Sequence, residues 1–388
     1  MNPSLHGPTW DTAFLGAFLL LLTGIALQAW AVPQGDRRWW GLSALLGSLV
    51  LAGLGLPAGW GRILLIDAAG FAAVALVWSE GTPESITAAR RFLHLLILSV
   101  ICLATGFLVV GMGGIPQASP LARFAVVLLV VGFGLKLAMV PLYFWLPGVA
   151  ASARPMTTAL ILSVVDVAAF IELAHLRVTN PWIFADWSGI WLGMALCSMV
   201  GGALLALAQR DVKRMLAFSS TDDMGYLLLG VLAGPGIGLS GALLGALSHA
   251  TLKVLLFGSV AVAEGRGGRA VTLESRGLAA QYPVSATAFI VGGLGMVGIP
   301  PRFGFAGRWR LYLAGAEYGG LWLVLGMFLA TGLAVLYYAR AIHRVWLGPP
   351  AGSDRGGEPR LAAAVLLVLM SLVLLLGVFP GWLLGRLD

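Results

Sequence analysis

The sequence predicts an all-helical protein that crosses a membrane about twelve times. Of its 388 residues, 59% are hydrophobic and only 11% are charged, whereas charged residues make up about a quarter of an ordinary soluble domain. The apolar residues form long continuous runs and do not alternate with polar ones, a pattern that favours helices over the strands of a membrane barrel. The fifth and the tenth of these runs contain internal prolines, which predicts broken helices.

Twelve apolar runs approach the roughly 20 residues that a helix needs to cross a hydrocarbon core of about 30 Å. They lie at about 12–32, 40–58, 62–79, 92–113, 122–146, 156–175, 189–208, 214–233, 238–263, 283–316, 320–343 and 361–385. The fifth run contains Pro141, and the tenth, which is too long for one straight span, contains Pro300 and Pro301. Because proline removes a backbone donor and clashes with the preceding turn, we expect both helices to be broken there.

The two broken segments are five spans apart, so they cross the membrane in opposite directions. This arrangement predicts two inverted five-helix repeats, formed by segments 2–6 and 7–11. Fifteen of the 24 Lys and Arg residues lie in the loops after odd-numbered segments or at the adjoining helix ends. Since basic loops stay on the inner side of a membrane, both termini are expected on the outer side of a bacterial inner membrane. In this count of basic residues, Arg62 is assigned to a loop on the outer side.

Charged side chains inside the predicted spans are the main sign of function. Each costs about 2.5 to 3.5 kcal/mol at the middle of a helix, so each needs a partner or a hydrated path. They are Asp67, Lys136, Asp166, Asp222, Asp223, His249, Lys253 and, just after the break in segment ten, Arg308. Any single one could simply tie two helices together. Their number, over six spans of both halves, favours a path for ions, most simply protons.

The residue types suggest different roles along such a path. Burial disfavours the ammonium form of lysine and a nearby carboxylate favours it, so Asp67 and Lys136 are expected to form a switchable pair. His249 and Lys253, at positions i and i+4, share one helix face where a proton could pass between them. Arg308 does not release its proton, so it is expected to shape the local field only.

Other charged residues near span ends are interpreted differently. One of Asp222 and Asp223 is expected to face the interior, while the other lies nearer the inner surface. Glu172 and His175, at the end of segment six, are expected at the membrane interface.

The sequence predicts no cofactor, no metal and no redox centre of its own. It contains no cysteine cluster and no paired histidines with haem or metal spacing. The net charge of +7 is spread over short loops. Since nucleic-acid binding needs basic residues clustered on one soluble face, that class of partner is excluded.

Four stretches, in order, resemble the antiporter-like membrane subunits of respiratory complex I and of Mrp-type cation/proton antiporters. They are GFGLKLAMVPLYFWLP at 132–147, AQRDVKRMLAFSSTDDMGYLLLG at 208–230, LSHATLKVLLFGSV at 247–260 and GIPPRFGFAGRWRLYLA at 298–314. The resemblance covers about residues 62–345. It implies N-terminal transmembrane helices at 1–61, a proton-translocating antiporter-like membrane domain at 62–345, and a C-terminal loop and helix at 346–388.

The resemblance also implies roles for single residues. Lys136 matches the lysine of the family's first broken helix, and Asp67 lies where the family usually has the glutamate that partners it. His249 and Lys253 match the linking residues of the second half. Arg308 lies where members carry a terminal lysine or glutamate.

The chain departs from the family pattern at several positions. Asp166 replaces a common lysine, Asp223 a common histidine, and Gly148 the usual acid after the WLP motif. Members commonly have fourteen helices, so two N-terminal spans are expected to be absent. The member that it resembles most is the complex I subunit nearest the quinone module.

The function implied is therefore a proton-translocating subunit of a complex I-type NADH-quinone oxidoreductase or a related complex. Its expected partners are other membrane subunits, the lipid bilayer and protons. An Mrp-type sodium/proton antiporter subunit is the first alternative, with sodium as a second ion. A structural subunit that has lost conduction is the other alternative, and it is favoured by Arg308 and by the replacements at Asp166 and Asp223.

Overall fold

The computed structural model describes residues 10–32, 36–111, 116–117, 119–349, 357–381, 383 and 385. Within these residues every regular element is a helix, and the one β-contact is an isolated bridge between Asp211 and Thr272. The predicted fold class, an all-helical membrane protein, is confirmed. The predicted end of the fourth segment at 113 and parts of the segment predicted to end at 385 lie outside the described residues.

Fourteen helices, numbered in chain order, make up the described part of the fold. They are α1 (Trp10–Ala31), α2 (Arg37–Leu54), α3 (Trp60–Trp78), α4 (Pro83–Gly111), α5 (Pro120–Lys136), α6 (Leu146–Ser152), α7 (Pro155–Thr179), α8 (Trp182–Ala185), α9 (Ser188–Ala208), α10 (Val212–Ala233), α11 (Ile237–Gly267), α12 (Pro283–Val297), α13 (Gly304–Trp346) and α14 (Arg360–Val378). A short 3₁₀ turn, Leu278–Ala280, precedes α12.

The chain leaves helical geometry at both proline sites. Residues 137–145 separate α5 from α6 and include a cis peptide bond at Val140–Pro141. Residues 298–303 separate α12 from α13 and include a cis bond at Pro300–Pro301. Gly298 has a left-handed backbone, with φ +85°, and a Cβ there would lie 2.9 Å from the Cβ of Arg308. This glycine therefore lets the second break fold back against the start of α13.

Three helices contain one π-helical turn each, and α13 also bends. The π turns are Ile161–Val165 in α7, Cys197–Gly201 in α9 and Ile342–Trp346 at the end of α13. Gly320 interrupts α13 with non-helical backbone angles, φ 64° and ψ −156°. Since π turns occur often at functional sites, the π turn directly before Asp166 favours a functional role for that residue.

Eight of the described helices are long and apolar enough to cross a membrane: α1, α3, α4, α7, α9, α11, α13 and α14. Helices α5 and α12 have 17 and 15 residues because the chain breaks after each. The count of twelve spans and the inverted repeats stay predictions.

Helices α7 and α11 form the centre of the bundle. Their most apolar segments are completely buried by the surrounding helices, whereas α4 and α13 expose most of theirs on the periphery. Helix α13 approaches α11 closely, because a Cβ on Gly307 would lie 2.8 Å from the backbone nitrogen of Gly245. Such small residues let membrane helices pack backbone to backbone. Arg308, the next residue, is thereby placed against the central helices.

Candidate functional site

The charged residues of the first half meet where α5 ends. Lys136 is the last helical residue of α5, and its Nζ forms an ion pair with Oδ1 of Asp67 on α3. Both side chains are almost completely buried, at 6% and 7% exposure. In an apolar interior, each charge is stabilised chiefly by the other. The expected contact between Asp67 and Lys136 is therefore present in the structure.

Helices of the second half hold the backbone of this break. Thr221 on α10 donates from Oγ1 to the carbonyl of Ala138 at 3.0 Å, and the Oγ of Ser198 on α9 accepts from the amide of Val140 at 3.0 Å. Trp145 donates from Nε1 to the carbonyl of Leu135 at 2.8 Å. Backbone groups freed by a broken membrane helix need such partners. The first break is thus fastened to both α9 and α10.

Asp166 lies near this pair on the central helix α7. It is 4% exposed and follows the π turn Ile161–Val165 directly. Its carboxylate is within electrostatic reach of Lys136, although it makes no hydrogen bond within the part of the chain that the structure describes. Asp166 is therefore a second acid for Lys136, at a longer range than Asp67.

A second cluster forms around Asp223 on α10. Its Oδ1 accepts from Nη2 of Arg308 at 2.6 Å, and its Oδ2 lies 2.8 Å from Nδ1 of His249 on α11. Arg308 also donates to the carbonyl of Met296 at 2.9 Å, and its guanidinium stands over the ring of Tyr226, 3.7 Å from the centroid. Arg308 therefore has three different kinds of contact and is firmly held.

Lys253 faces α10 as well, one turn along α11 from His249. Its Nζ donates to the carbonyl of Leu216 and to the Oγ of Ser219, both at 2.6 Å, and Tyr338 donates to the same Oγ at 3.1 Å. His249 and Lys253 share a face as predicted. Their hydrogen bonds within the described residues go to α10 and not to each other.

The structure corrects the expectation for the two neighbouring aspartates of α10. Asp222 and Asp223 are both buried, at 2% and 7% exposure. They point in different directions because successive helical residues are about 100° apart. Asp222 accepts from the hydroxyl of Tyr337 on α13 at 3.1 Å, and its Oδ1 has no partner among the described residues. Neither carboxylate is exposed at the surface of the bundle.

A small cavity of about 10 Å³ adjoins the second cluster and is lined by Asp223, Ser248 and Arg308, among others. This is close to the volume that one water molecule needs. Among the described polar atoms, Nη1 of Arg308 and Nε2 of His249 have no protein partner. The second cluster is therefore polar enough to hold water.

A third buried cluster was missed by the sequence interpretation. Arg62 donates from Nη1 and Nη2 to the carboxylate of Asp11, at 2.8 and 3.2 Å, and from Nε to Glu172 at 2.5 Å. His175 adds its Nε2, 3.1 Å from Oδ1 of Asp11. We name these four residues the α1–α3–α7 cluster.

Three earlier interpretations are corrected by this cluster. Arg62 is not a loop residue, since it lies inside α3 and its side chain is fully buried. Glu172 and His175 are also buried among protein side chains, although interface positions were expected for them. The available signal was Arg62 itself, because it stands only five residues before Asp67 in a continuous apolar run.

Within the described residues, no group of three or more His, Cys, Asp or Glu side chains could hold a metal ion. The chemistry that the buried groups themselves offer is the binding and release of protons by amine, imidazole and carboxyl groups.

Known proteins with similar sequences identify the family of this chain. The family model described as "NADH:quinone oxidoreductase/Mrp antiporter, TM" matches residues 64–334. NADH-quinone oxidoreductase subunit N of Desulforudis audaxviator is 30% identical over 384 residues, covering 92% of this chain and 75% of the relative. F(420)H(2) dehydrogenase subunit N of Methanosarcina mazei is 31% identical over 282 residues, covering 69% of this chain and 56% of the relative. This chain thus spans between about half and three quarters of the length of these relatives.

The fold also has solved counterparts. A chain in the structure of the Mrp complex from Dietzia sp. DQ12-45-1b superposes with a TM-score of 0.88 at 20% identity, over 99% of this chain and 84% of that chain. At this identity the likeness establishes the fold. Taken with the match over residues 64–334, it follows that the chain belongs to the NADH:quinone oxidoreductase/Mrp antiporter family of antiporter-like membrane subunits.

Proposed function

We propose that this chain is a proton-translocating subunit of a complex I-type NADH-quinone oxidoreductase or of a related membrane complex. One observation carries the proposal: a buried lysine and carboxylate, Lys136 and Asp67, form an ion pair at the break of α5. An ammonium in an apolar interior is stable while its counter-ion is close, and it tends to release its proton when the counter-ion moves away. A change in the spacing of this pair would therefore load and unload a proton.

The remaining buried groups continue the route through the bundle. Asp166 is the next acid after Lys136, and Lys253 and His249 follow on α11, with water bridging between groups. Asp223 contacts both His249 and Arg308, at 2.8 and 2.6 Å, and its charge offsets that of Arg308. Arg308 keeps its proton, so its role is to set the local field. The chain needs no redox centre, because neighbouring subunits would supply the energy of electron transfer.

The same proposal includes the membrane arrangement. The breaks after α5 and α12, together with the bend at Gly320, are consistent with twelve crossings in two inverted repeats, residues 62–345 forming the antiporter-like domain between residues 1–61 and 346–388. Each repeat then has its broken helix in the fourth position. Both termini would lie on the outer side of a bacterial inner membrane. Other membrane subunits of the same complex would be the protein partners.

The test compares variants of the pair within the assembled complex, reconstituted into vesicles. Lys136→Ala and Asp67→Asn are expected to lower the number of protons moved per electron by about tenfold or more, because the proton-carrying group or its counter-ion is gone. Lys213→Ala is the matched control, since Lys213 is also buried and paired to a carboxylate, Glu264, at 3.1 Å.

One observation favours a structural subunit as the competing function, namely the three contacts that hold Arg308. Unchanged proton pumping by an assembled Lys136→Ala complex would establish that role. Sodium movement in place of proton movement would instead assign the chain to the Mrp type, so the vesicle assay should follow both ions.

A further inference from the structure

We propose that the α1–α3–α7 cluster is a second proton-binding site, centred on Nε2 of His175, through which protons leave the first half toward the outer face. This inference rests on the proposed function. Buried ionisable groups within membrane helices are costly to keep and commonly mark ion pathways. None of the four residues belongs to either of the clusters around Lys136 and Asp223.

The cluster has an excess negative charge that one additional proton would neutralise. Arg62 contacts both Asp11 and Glu172, so a single cation faces two carboxylates. The cluster therefore carries a net charge of about −1 when His175 is neutral and about zero when His175 is protonated. A buried excess charge is unfavourable in an apolar medium. His175, 3.1 Å from Asp11, is the neutral base in the cluster that can take up a proton and so neutralise this charge.

The surroundings of Nε2 offer a hydrogen bond in both protonation states. Asp11 Oδ1, at 3.1 Å, accepts a proton from Nε2 when this nitrogen carries one. Trp10 Nε1, at 3.4 Å, is a donor only, so it pairs with Nε2 when this nitrogen is bare. The two partners therefore require opposite states of the same atom. A site of this kind can take up and release a proton without leaving the nitrogen unsatisfied in either state.

The cluster lies on the outer side of the Asp67–Lys136 pair in the proposed orientation. Arg62 precedes Asp67 by five residues on α3, and Glu172 follows Asp166 by six residues on α7. At about 1.5 Å per residue, these offsets correspond to roughly 7.5 and 9 Å along the helix axes. Asp11 is near the start of α1, which is expected at the same face. The positions on α1, α3 and α7 therefore all place the cluster on the outer side of the Asp67–Lys136 pair.

The proposed step is a proton transfer alone. An N–H bond forms at Nε2 of His175 as an O–H bond of a hydronium ion on the inner side breaks, which leaves a neutral water molecule. The N–H bond later breaks as the proton passes to water at the outer face. Asp11 and Glu172 keep Arg62 in place and remain charged. The nearest basic group further along α7 is Arg177, which donates to the carbonyl of Val231 on α10 at 3.0 Å and does not face the imidazole.

Proton pumping by the reconstituted complex tests this site, with the pH at the outer face set independently. His175→Gln keeps hydrogen-bonding capacity but cannot bind a proton, and it is expected to lower pumping by about fivefold or more. It should also remove the dependence of pumping on the outer pH that an imidazole on the exit path gives. His94→Gln, which removes an exposed histidine of α4, is the control and should behave like the unmodified complex.

A parallel Lys136→Ala complex separates this inference from the proposed function. If Lys136→Ala abolishes pumping while His175→Gln pumps normally with an unchanged pH profile, the second site is wrong and the proposed function stands. If Lys136→Ala pumps normally, the proposed function is wrong.

A spectroscopic measurement keeps the inference testable if His175→Gln does not assemble. The chain has five histidines, so the ¹⁵N resonance of Nε2 in His175 can be followed in the full complex and identified by its perturbation in Trp10→Phe. The signal is expected to change from a protonated to a bare nitrogen as the pH is raised across the range in which the complex stays assembled. In Trp10→Phe the bare form loses its donor, so the protonated form should persist to higher pH. A signal that stays in one state across this range would overturn the proposal.

Discussion

The two halves of the bundle neutralise their central carboxylates with different cations. In the first half, Asp67 meets Lys136, and within the described residues this carboxylate is the only hydrogen-bond partner of the ammonium. In the second half, Asp223 is shared by Arg308 and His249. An amine can give up its proton, whereas a guanidinium keeps it under all physiological conditions. The carboxylate of the first half is therefore paired with a cation that can release its proton, whereas that of the second half is held by Arg308, which cannot, together with His249.

The difference extends to how firmly each cation is held. Lys136 ends a helix next to a break, where a modest backbone movement would separate it from Asp67. Arg308 is fixed by the carboxylate, by the carbonyl of Met296 and by the ring of Tyr226. A broken helix can therefore carry either a cation that changes its protonation, as proposed for Lys136, or a cation that holds helices together, as Arg308 does.

Exchanging the cation of the first half gives the largest expected effect. Lys136→Arg keeps the positive charge beside Asp67 but removes the ability to release a proton. Pumping by the reconstituted complex should fall by about tenfold or more, as for Lys136→Ala, while assembly is retained better than with alanine. Lys213→Arg is the control. Pumping by Lys136→Arg at the unmodified rate would contradict this difference between the halves, because a permanent positive charge beside Asp67 would then be enough for pumping.

Removing the cation of the second half should affect stability first. Arg308→Met leaves the buried Asp223 with His249 as its remaining ion-pair partner among the described residues, and losing one partner of a buried ion pair costs about 3 to 5 kcal/mol. Arg308→Lys keeps the charge and should cost about 1 to 2 kcal/mol through the lost additional contacts. Thermal unfolding of the purified chain in detergent measures both. Arg302→Met, at the half-buried end of the same break, is the control, and equal losses for all three would disprove the anchoring role.

Loosening the ties between the halves should give the smallest effect. Ser198→Ala and Thr221→Val each remove one side-chain hydrogen bond to the backbone of the first break, at Val140 and Ala138, and each should cost about 1 kcal/mol. Amide hydrogen exchange at Val140 should accelerate in Ser198→Ala. Ser220→Ala is a suitable control because its hydroxyl bonds within its own helix, to Leu216. Unchanged exchange in Ser198→Ala would show that the break is held by packing alone.

Local sequence patterns predicted the fold class and the helical segments well. Apolar runs long enough to cross a bilayer can hardly form anything but helices, and adjacent prolines cannot continue one, so the break at Pro300–Pro301 follows from the chain itself. The contact of Asp67 with Lys136 could be anticipated because buried opposite charges need partners.

The partners in the second half could not be derived in this way. Asp223 bonds Arg308 across 85 residues, and Asp222 bonds Tyr337 across 115. Such contacts depend on which helices pack together, and no local spacing encodes that. The same limit explains Arg62. A charge near the end of an apolar run is conventionally assigned to a loop, and only the approach of α1 and α7 shows that it is buried.

The π-helical turn at Ile161–Val165 has a consequence for how this membrane fold can change. A π turn contains one residue more than an α turn, so it amounts to a single-residue insertion within α7. Deleting one residue there would restore regular α-helix and rotate Asp166 by about 100° relative to the first part of the helix. The direction in which Asp166 points therefore depends on the number of residues in this turn. A deletion or insertion of one residue there would redirect Asp166 without replacing any of the buried charged residues.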